Sequence, residues 1–121
     1  QKGDSPFQAT ANELQIENCV MAGMTTNFNT VYLTDAEAWY NNVSRNNQLF
    51  AANELLQLVD PFNLVSPNFL PATGSPLLSG AAFAKTRLTD SFFTPTTYRG
   101  AFGTTDWTAG WCNFDPQNAN Y

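Results

Sequence analysis

The stretch that most constrains the fold runs Tyr98-Arg-Gly-Ala-Phe-Gly-Thr-Thr-Asp-Trp-Thr-Ala-Gly-Trp-Cys-Asn-Phe114. Three of the chain's seven glycines and two of its three tryptophans lie in it. Closely spaced glycines turn the backbone sharply, while large rings need a surface to cover them. The stretch therefore reads as a tightly turned, aromatic closing segment that docks on something else, not as an active site. Trp107 and Trp111, four residues apart beside glycines, are expected first as anchors buried against a core. Their second reading is as a contact surface for a partner or a sugar. Asp106 reads as the cap of a turn or short helix, and Arg99 as paired with a carboxylate or stacked on a ring.

Composition narrows the class. The chain has 121 residues, enough for one domain or a piece of one. Aromatics reach 14%, so a core would be built on rings, while charged residues make up only 12%, about half the usual share. Asn, Gln, Thr and Ser supply the polarity instead. Such a surface is common in exported β-rich proteins and argues against long exposed helices, which usually carry Glu/Lys pairs. A net charge of −5 disfavours nucleic acid and anionic membrane as partners. The five cations, Lys2, Arg45, Lys85, Arg87 and Arg99, are scattered. No apolar run approaches the roughly 18 residues that span a membrane. Gln1 begins a polar stretch without the apolar segment of a signal peptide, so an exported protein is expected here in mature or truncated form.

Along the chain, residues 1–11 look like a polar lead-in. Leu14 and Ile16 alternate with Gln15 and Glu17, the pattern of a half-buried strand. Asn18 interrupts, and Cys19 to Met21 resume as a second short strand before Gly23. Strand, Asn at a bend, strand, Gly is how one coil of a right-handed parallel β-helix reads, with the Asn stacking on its copies in adjacent coils. Only one clear coil is visible, and a hairpin would look similar. Residues 24–33 can hold a loop and a further strand ending at Leu33. Thr34-Asp-Ala-Glu37 is a capping-box pattern, and Ala36, Trp39, Tyr40 and Val43 fall on one helical face, stopping near Asn46. Asn42-Val-Ser44 matches the N-glycosylation pattern but falls within that predicted helix, where it reads as incidental. A second short helix is expected from Asn53 to Val59, ended by Asp60-Pro61. Prolines 61, 67, 71 and 76 make the following stretch extended and irregular, with a turn over residues 72–76.

Candidate chemistry is sparse. The chain has no histidine, which removes Ser-His-Asp and Cys-His nucleophile systems and His-ligated metal. No catalytic, cofactor or metal residues are assigned. Ten carboxylates could in principle supply a glycosidase pair, but Asp106 and Asp115 beside aromatic rings read as structural. Calcium could bind through Asp, Asn and carbonyl oxygens, yet no spaced Asp loop places a site. Cys19 and Cys112 lie near opposite ends. In an exported protein they can form a disulfide, worth about 4 kcal/mol in the loop-entropy model. Otherwise Cys19 is a small core residue and Cys112 incidental.

Together, Pro71-Ala-Thr-Gly-Ser-Pro-Leu-Leu-Ser-Gly-Ala-Ala-Phe83, Ser91-Phe-Phe93, Tyr98-Arg-Gly-Ala-Phe-Gly103, Asp106-Trp-Thr-Ala-Gly-Trp111 and Asn113-Phe114 resemble the C-terminal region of large secreted surface proteins of Bacteroidota-type bacteria. Those proteins are similar to right-handed parallel β-helices and mostly uncharacterised. The likeness spans residues 12–115. Cys112 departs from it, since that position is often Thr. The resemblance implies that this chain is the terminal part of a longer solenoid, and no catalytic residue carries over from it.

The expected fold is mainly β: the last coil or coils of a right-handed parallel β-helix over residues 1–33, short helices over 34–60, and an extended, Pro/Gly-rich aromatic cap over 61–121. As a single domain or fragment, residues 1–121 would form a non-enzymatic module on the extracellular, outer-membrane surface. Its partners would be the upstream part of the same solenoid or other surface proteins. A carbohydrate-binding or polysaccharide-processing solenoid end, and a small independent accessory subunit, are the alternatives. Covering a solenoid's open end would protect unpaired strand edges from aggregation.

Overall fold

Asparagine, glycine and proline interrupt every apolar run, so among the described residues no strand exceeds four residues. The computed structural model describes residues 4–119. Lys2 and the final two residues of the amide-rich tail lie outside them. The chain divides into two compact units, Gln1–Ala52 and Asn53–Tyr121. The division falls inside the stretch expected to hold short helices.

In the first unit, helix α1 (Asp4–Thr10) replaces the expected lead-in. Thr10 Oγ1 donates to the Pro6 carbonyl, and Asn12 closes the helix in the left-handed region at φ 58°. Leu14 and Ile16 form no strand and are exposed. The bend at Asn18 does form, at φ 57°, and leads into strand β1 (Val20–Ala22). The further strand expected before Leu33 is absent.

Helix α2 covers only Ala36–Tyr40. The Thr34–Glu37 capping box does not form: Asp35 precedes the helix, without a side-chain cap. The helix stops because Asn42 starts a new turn, Val43–Arg45, its side chain accepting from Ser44 N. Val43 therefore leaves the predicted apolar face and is 92% exposed. The Asn42-Val43-Ser44 pattern is likewise outside the helix, with all three residues exposed.

Asn46, again left-handed at φ 51°, leads into strand β2 (Gln48–Phe50). β1 and β2 pair in parallel, Val20 opposite Gln48 and Ala22 opposite Phe50. Parallel pairing needs a crossover, which α2 and its turn supply. Buried Tyr40 sits where this crossover meets the pair. Its hydroxyl lies 3.3 Å from the Cys19 carbonyl and 3.2 Å from that of Gln48, and its ring meets Phe28 at 5.5 Å. Arg45 is buried, with its guanidinium carbon 4.0 Å over the Trp39 ring and Nη2 donating to Asn12 Oδ1. Trp39 Nε1 donates to the Ala9 carbonyl, which fixes α1.

In the second unit the expected helix over 53–59 is a 3-10 turn, Asn53–Leu56. Gln57, at φ 53°, then redirects the chain into strand β3 (Leu58–Asp60). β3 pairs antiparallel with β4 (Asn68–Pro71), with an irregularity between Leu58 and Asp60. Long-range pairing overrides the helical pattern of a short apolar run. Buried Ser75 holds the returning chain: Oγ donates to the Leu56 carbonyl at 2.6 Å and accepts from Leu77 N. Further 3-10 turns occur at Pro76–Leu78, Thr86–Leu88 and Pro116–Asn118. Both sheets are two-stranded and open.

The core is thin. Ala9 and Tyr40 are the buried hydrophobic residues among those described, and no large side chain is fully buried. Leu64, Phe92 and Val31 stand in solvent.

Side-chain amides compensate for the short ladders. Asn47 Oδ1 accepts from Cys19 N, while Nδ2 donates to the Ile16 and Tyr40 carbonyls, each at 2.9 Å. Asn47→Ala is expected to lower unfolding free energy by about 2–4 kcal/mol, because three backbone groups lose their partner together. Urea denaturation followed by circular dichroism measures this; a loss below about 0.5 kcal/mol would refute the role of Asn47.

Candidate functional site

Two neighbourhoods gather the residues that the sequence marks. The first is the closing segment of the second unit. Arg99 N donates to the Leu77 carbonyl at 2.7 Å, and Ala81 N to the Thr97 carbonyl at 3.1 Å. The segments around residues 71–83 and 98–103, far apart in the chain, therefore meet. Arg99 is buried at 6% exposure, its guanidinium against the backbone of Gly80. A Cβ on Gly80 would lie 2.5 Å from the guanidinium carbon, and Gly80 also sits at φ 96°. The positive φ strains any side chain here, and a Cβ would in addition have to displace the Arg99 guanidinium. Gly103 is buried for a related reason: a Cβ there would lie 2.6 Å from the Tyr98 ring.

Aromatic rings continue from this point in series. Phe114 meets Phe69 at 5.9 Å, Phe69 meets Phe102 at 5.5 Å, and Phe102 stacks on Trp107 at 5.3 Å and 20°. Trp107 meets Trp111 at 5.7 Å. These separations suit attractive ring pairs. The expected burial of the two tryptophans does not occur: Trp107 is 50% exposed and Trp111 69%. Their indole N–H groups are used internally, Trp107 Nε1 donating to Ala101 O and Trp111 Nε1 to Trp107 O. Ring surface remains at the protein exterior while the polar handle of each indole faces its own backbone.

Asp106 does cap the turn that carries these tryptophans. Its Oδ1 accepts from Thr108 N at 2.9 Å and from the Thr108 hydroxyl in a short hydrogen bond. Cys112 N then closes the turn on the Thr108 carbonyl. The Thr108 hydroxyl, first, and then its backbone N–H hold the Asp106 carboxyl below the usual aspartate range.

The second neighbourhood is the asparagine corner of the first unit. Asn18 and Asn46 are 28 positions apart, and Asn46 Nδ2 donates to Asn18 Oδ1 at 2.9 Å. Asn18 N also donates to the Arg45 carbonyl, and Gln48 N to the Cys19 carbonyl. Both asparagines are left-handed and both precede a strand of the same parallel pair. Asn46 and Asn47 are functional candidates that the sequence reading missed. The available signal was the match of Asn18-Cys-Val-Met-Ala22 to Asn46-Asn-Gln-Leu-Phe50, which polar Asn47 and Gln48 disguise.

Cys19 and Cys112 are both free thiols. Cys19 is exposed, its Sγ donating to the Glu17 carbonyl, and Cys112 is half-buried. They belong to different units. Among the described residues no three His, Cys, Asp or Glu side chains gather. Among the same residues no helix is long and apolar enough to cross a membrane.

No protein-family model matches the chain, and neither a curated protein nor a solved structure was found similar to it.

The lowered Asp106 titration has a definite sign. Its stabilisation is present above the ordinary aspartate range and is lost as pH falls through the lower folded value. Comparing the wild type with Thr108→Val by carboxylate NMR titration, the variant should move Asp106 back toward the ordinary range. Its deficit in melting temperature should be larger at neutral pH than near pH 2. A pH-independent deficit with an unmoved titration would show that Thr108 contributes only packing.

Proposed function

We propose that this chain is the terminal part of an exported, non-enzymatic surface solenoid, serving there as a structural and interaction module. The solenoid would be a right-handed parallel β-helix. Its partners would be the upstream coils of its own chain or neighbouring proteins at the bacterial outer-membrane surface, in the extracellular space. The observation that carries this reading is the asparagine corner. Two short parallel strands repeat at 28 residues, each entered through a left-handed asparagine, with the two side chains joined by an amide hydrogen bond. That is the relation between successive coils of such a solenoid, in which neighbouring repeats bury one another's faces.

Three further observations support it. The core is too thin to cover the chain's apolar side chains, as expected of a part that packs against more of the same protein. Few charges and many amides suit an exported β-rich surface. The closing motifs resemble the ends of large bacterial surface proteins, and the segments carrying that likeness meet at Gly80 and Arg99. An independent accessory subunit would present the same apolar surface to a separate protein instead.

Mass spectrometry of the intact source protein tests the main reading. A mass several times 13.3 kDa, with this sequence at its C-terminal end, is the expected result. A mature mass near 13.3 kDa would overturn it and leave the accessory subunit.

The exposed rings of Trp107 and Trp111 favour one second reading, a solenoid end that contacts carbohydrate. A glycan array probed with the wild type, Trp107→Ala and Trp111→Ala decides it. Carbohydrate contact predicts binding that each substitution weakens about tenfold or more, with little change in melting temperature. Absence of wild-type binding, or binding that both variants retain, would refute it.

A further inference from the structure

The edge of β1 that faces away from β2 has the features of a strand acceptor. Gln48 N donates to the Cys19 carbonyl and Gly23 N to the Phe50 carbonyl. Backbone direction alternates along a strand, so Val20 and Ala22 turn their N–H and C=O groups away from β2. The described residues add no third strand to this sheet. The three residues of β1 are half-buried, and exposed Leu14 and Ile16 lie just upstream. Asn18 stands at the start of the same edge. Its Oδ1 is taken by Asn46 Nδ2, while among the described residues its own Nδ2 donates to nothing.

The corner therefore has a direction. Asn46 donates to Asn18, and Asn18 is left with the same donor to offer onward. We propose that the outer edge of β1 accepts a third parallel strand entered through an asparagine, whose side-chain oxygen takes a hydrogen bond from Asn18 Nδ2. The occupant is an extended segment of the pattern shared by Asn18–Ala22 and Asn46–Phe50. It continues the β1–β2 ladder at the same spacing of 28 residues. Within the intact protein it is the preceding coil, so the inference rests on the solenoid reading and specifies that reading's partner strand.

An arbitrary β-strand could pair with Val20 and Ala22 but would leave the Asn18 amide unused. Asparagine supplies what this corner needs: an oxygen acceptor on a short side chain, and tolerance of the left-handed backbone at the bend. Aspartate supplies the acceptor too, but it has no donor with which to continue the series. Glycine tolerates the bend but supplies no side chain.

The test adds a copy of residues 43–56 directly ahead of Gln1 in the full chain. This places the copied asparagine 28 positions before Asn18, the spacing of the existing pair. Amide hydrogen exchange at Val20 and Ala22 is compared in the original chain, the extended chain, and an extended chain with glycine for the copied asparagine. The asparagine extension should slow exchange at both amides about tenfold relative to the rest of the first unit. The glycine extension should lose most of that protection. Unchanged exchange, equal protection by both extensions, or an extension that stays unstructured would each overturn the proposal. The intact mass tests whether the natural protein is larger than this chain, and the extended chain decides whether this edge accepts such a coil. Each idea can therefore fail while the other stands.

Discussion

Side-chain amides and hydroxyls finish the hydrogen bonding that the short strands begin. A buried backbone donor or acceptor without a partner costs about 1–3 kcal/mol, and ladders of three or four residues leave many such groups at their ends. Asn47 serves three backbone groups, two from the bend at residues 16–19 and one from the end of α2. Ser75 ties the Leu56 carbonyl to the Leu77 amide, and Asp106 orders the turn beneath the tryptophans. Remove these side chains, and the strands have too little ladder to hold their register.

The same economy leaves apolar surface outside. In the first unit the crossover buries Tyr40 and Arg45, and little else of size. In the second, rings meet edge to face, tilted or stacked in series, each covering part of the next. Series packing orders rings without enclosing them, so the last two indoles keep exposed surface. A chain built this way gains stability from whatever covers that surface, which is the physical logic of repeat architectures. An open strand edge with an asparagine donor at its corner belongs to the same logic.

Local chemistry was legible where one residue decides the outcome. Asn18 announced a bend, because asparagine tolerates the left-handed region and its amide can reach backbone nearby. Asp106 announced a capped turn, because its carboxylate reaches an amide two positions on. Patterns that depend on several residues acting together misled. The Thr34–Glu37 capping box gave way to a helix begun one residue later and ended after Tyr40, because Asn42 competes for the next turn. The apolar run after Asn53 reads equally as helix or strand, and pairing with β4 decided for strand at Leu58. Short α1 lacked an apolar stripe to reveal it, and the Ala9–Trp39 hydrogen bond that fixes it spans 30 positions.

Of the candidate sites, Trp107 and Trp111 were visible as residues but not as surface. Burial depends on what stands opposite a ring, and no local pattern records that. The glycines of the closing segment were visible as turns, yet the Tyr98 ring leaves little room for a Cβ at Gly103, and the Arg99 guanidinium leaves little at upstream Gly80. The sequence by itself determined the composition of the surface, the absence of histidine chemistry, the bends at asparagine and glycine, and the brevity of every strand. These follow from properties of single residues. Only the tertiary structure decided that Asn46 repeats Asn18, that β1 and β2 run parallel, and that Gly80 meets Arg99. Each of those joins residues separated by 19 to 28 positions, where the energy lies in mutual placement and not in any one side chain.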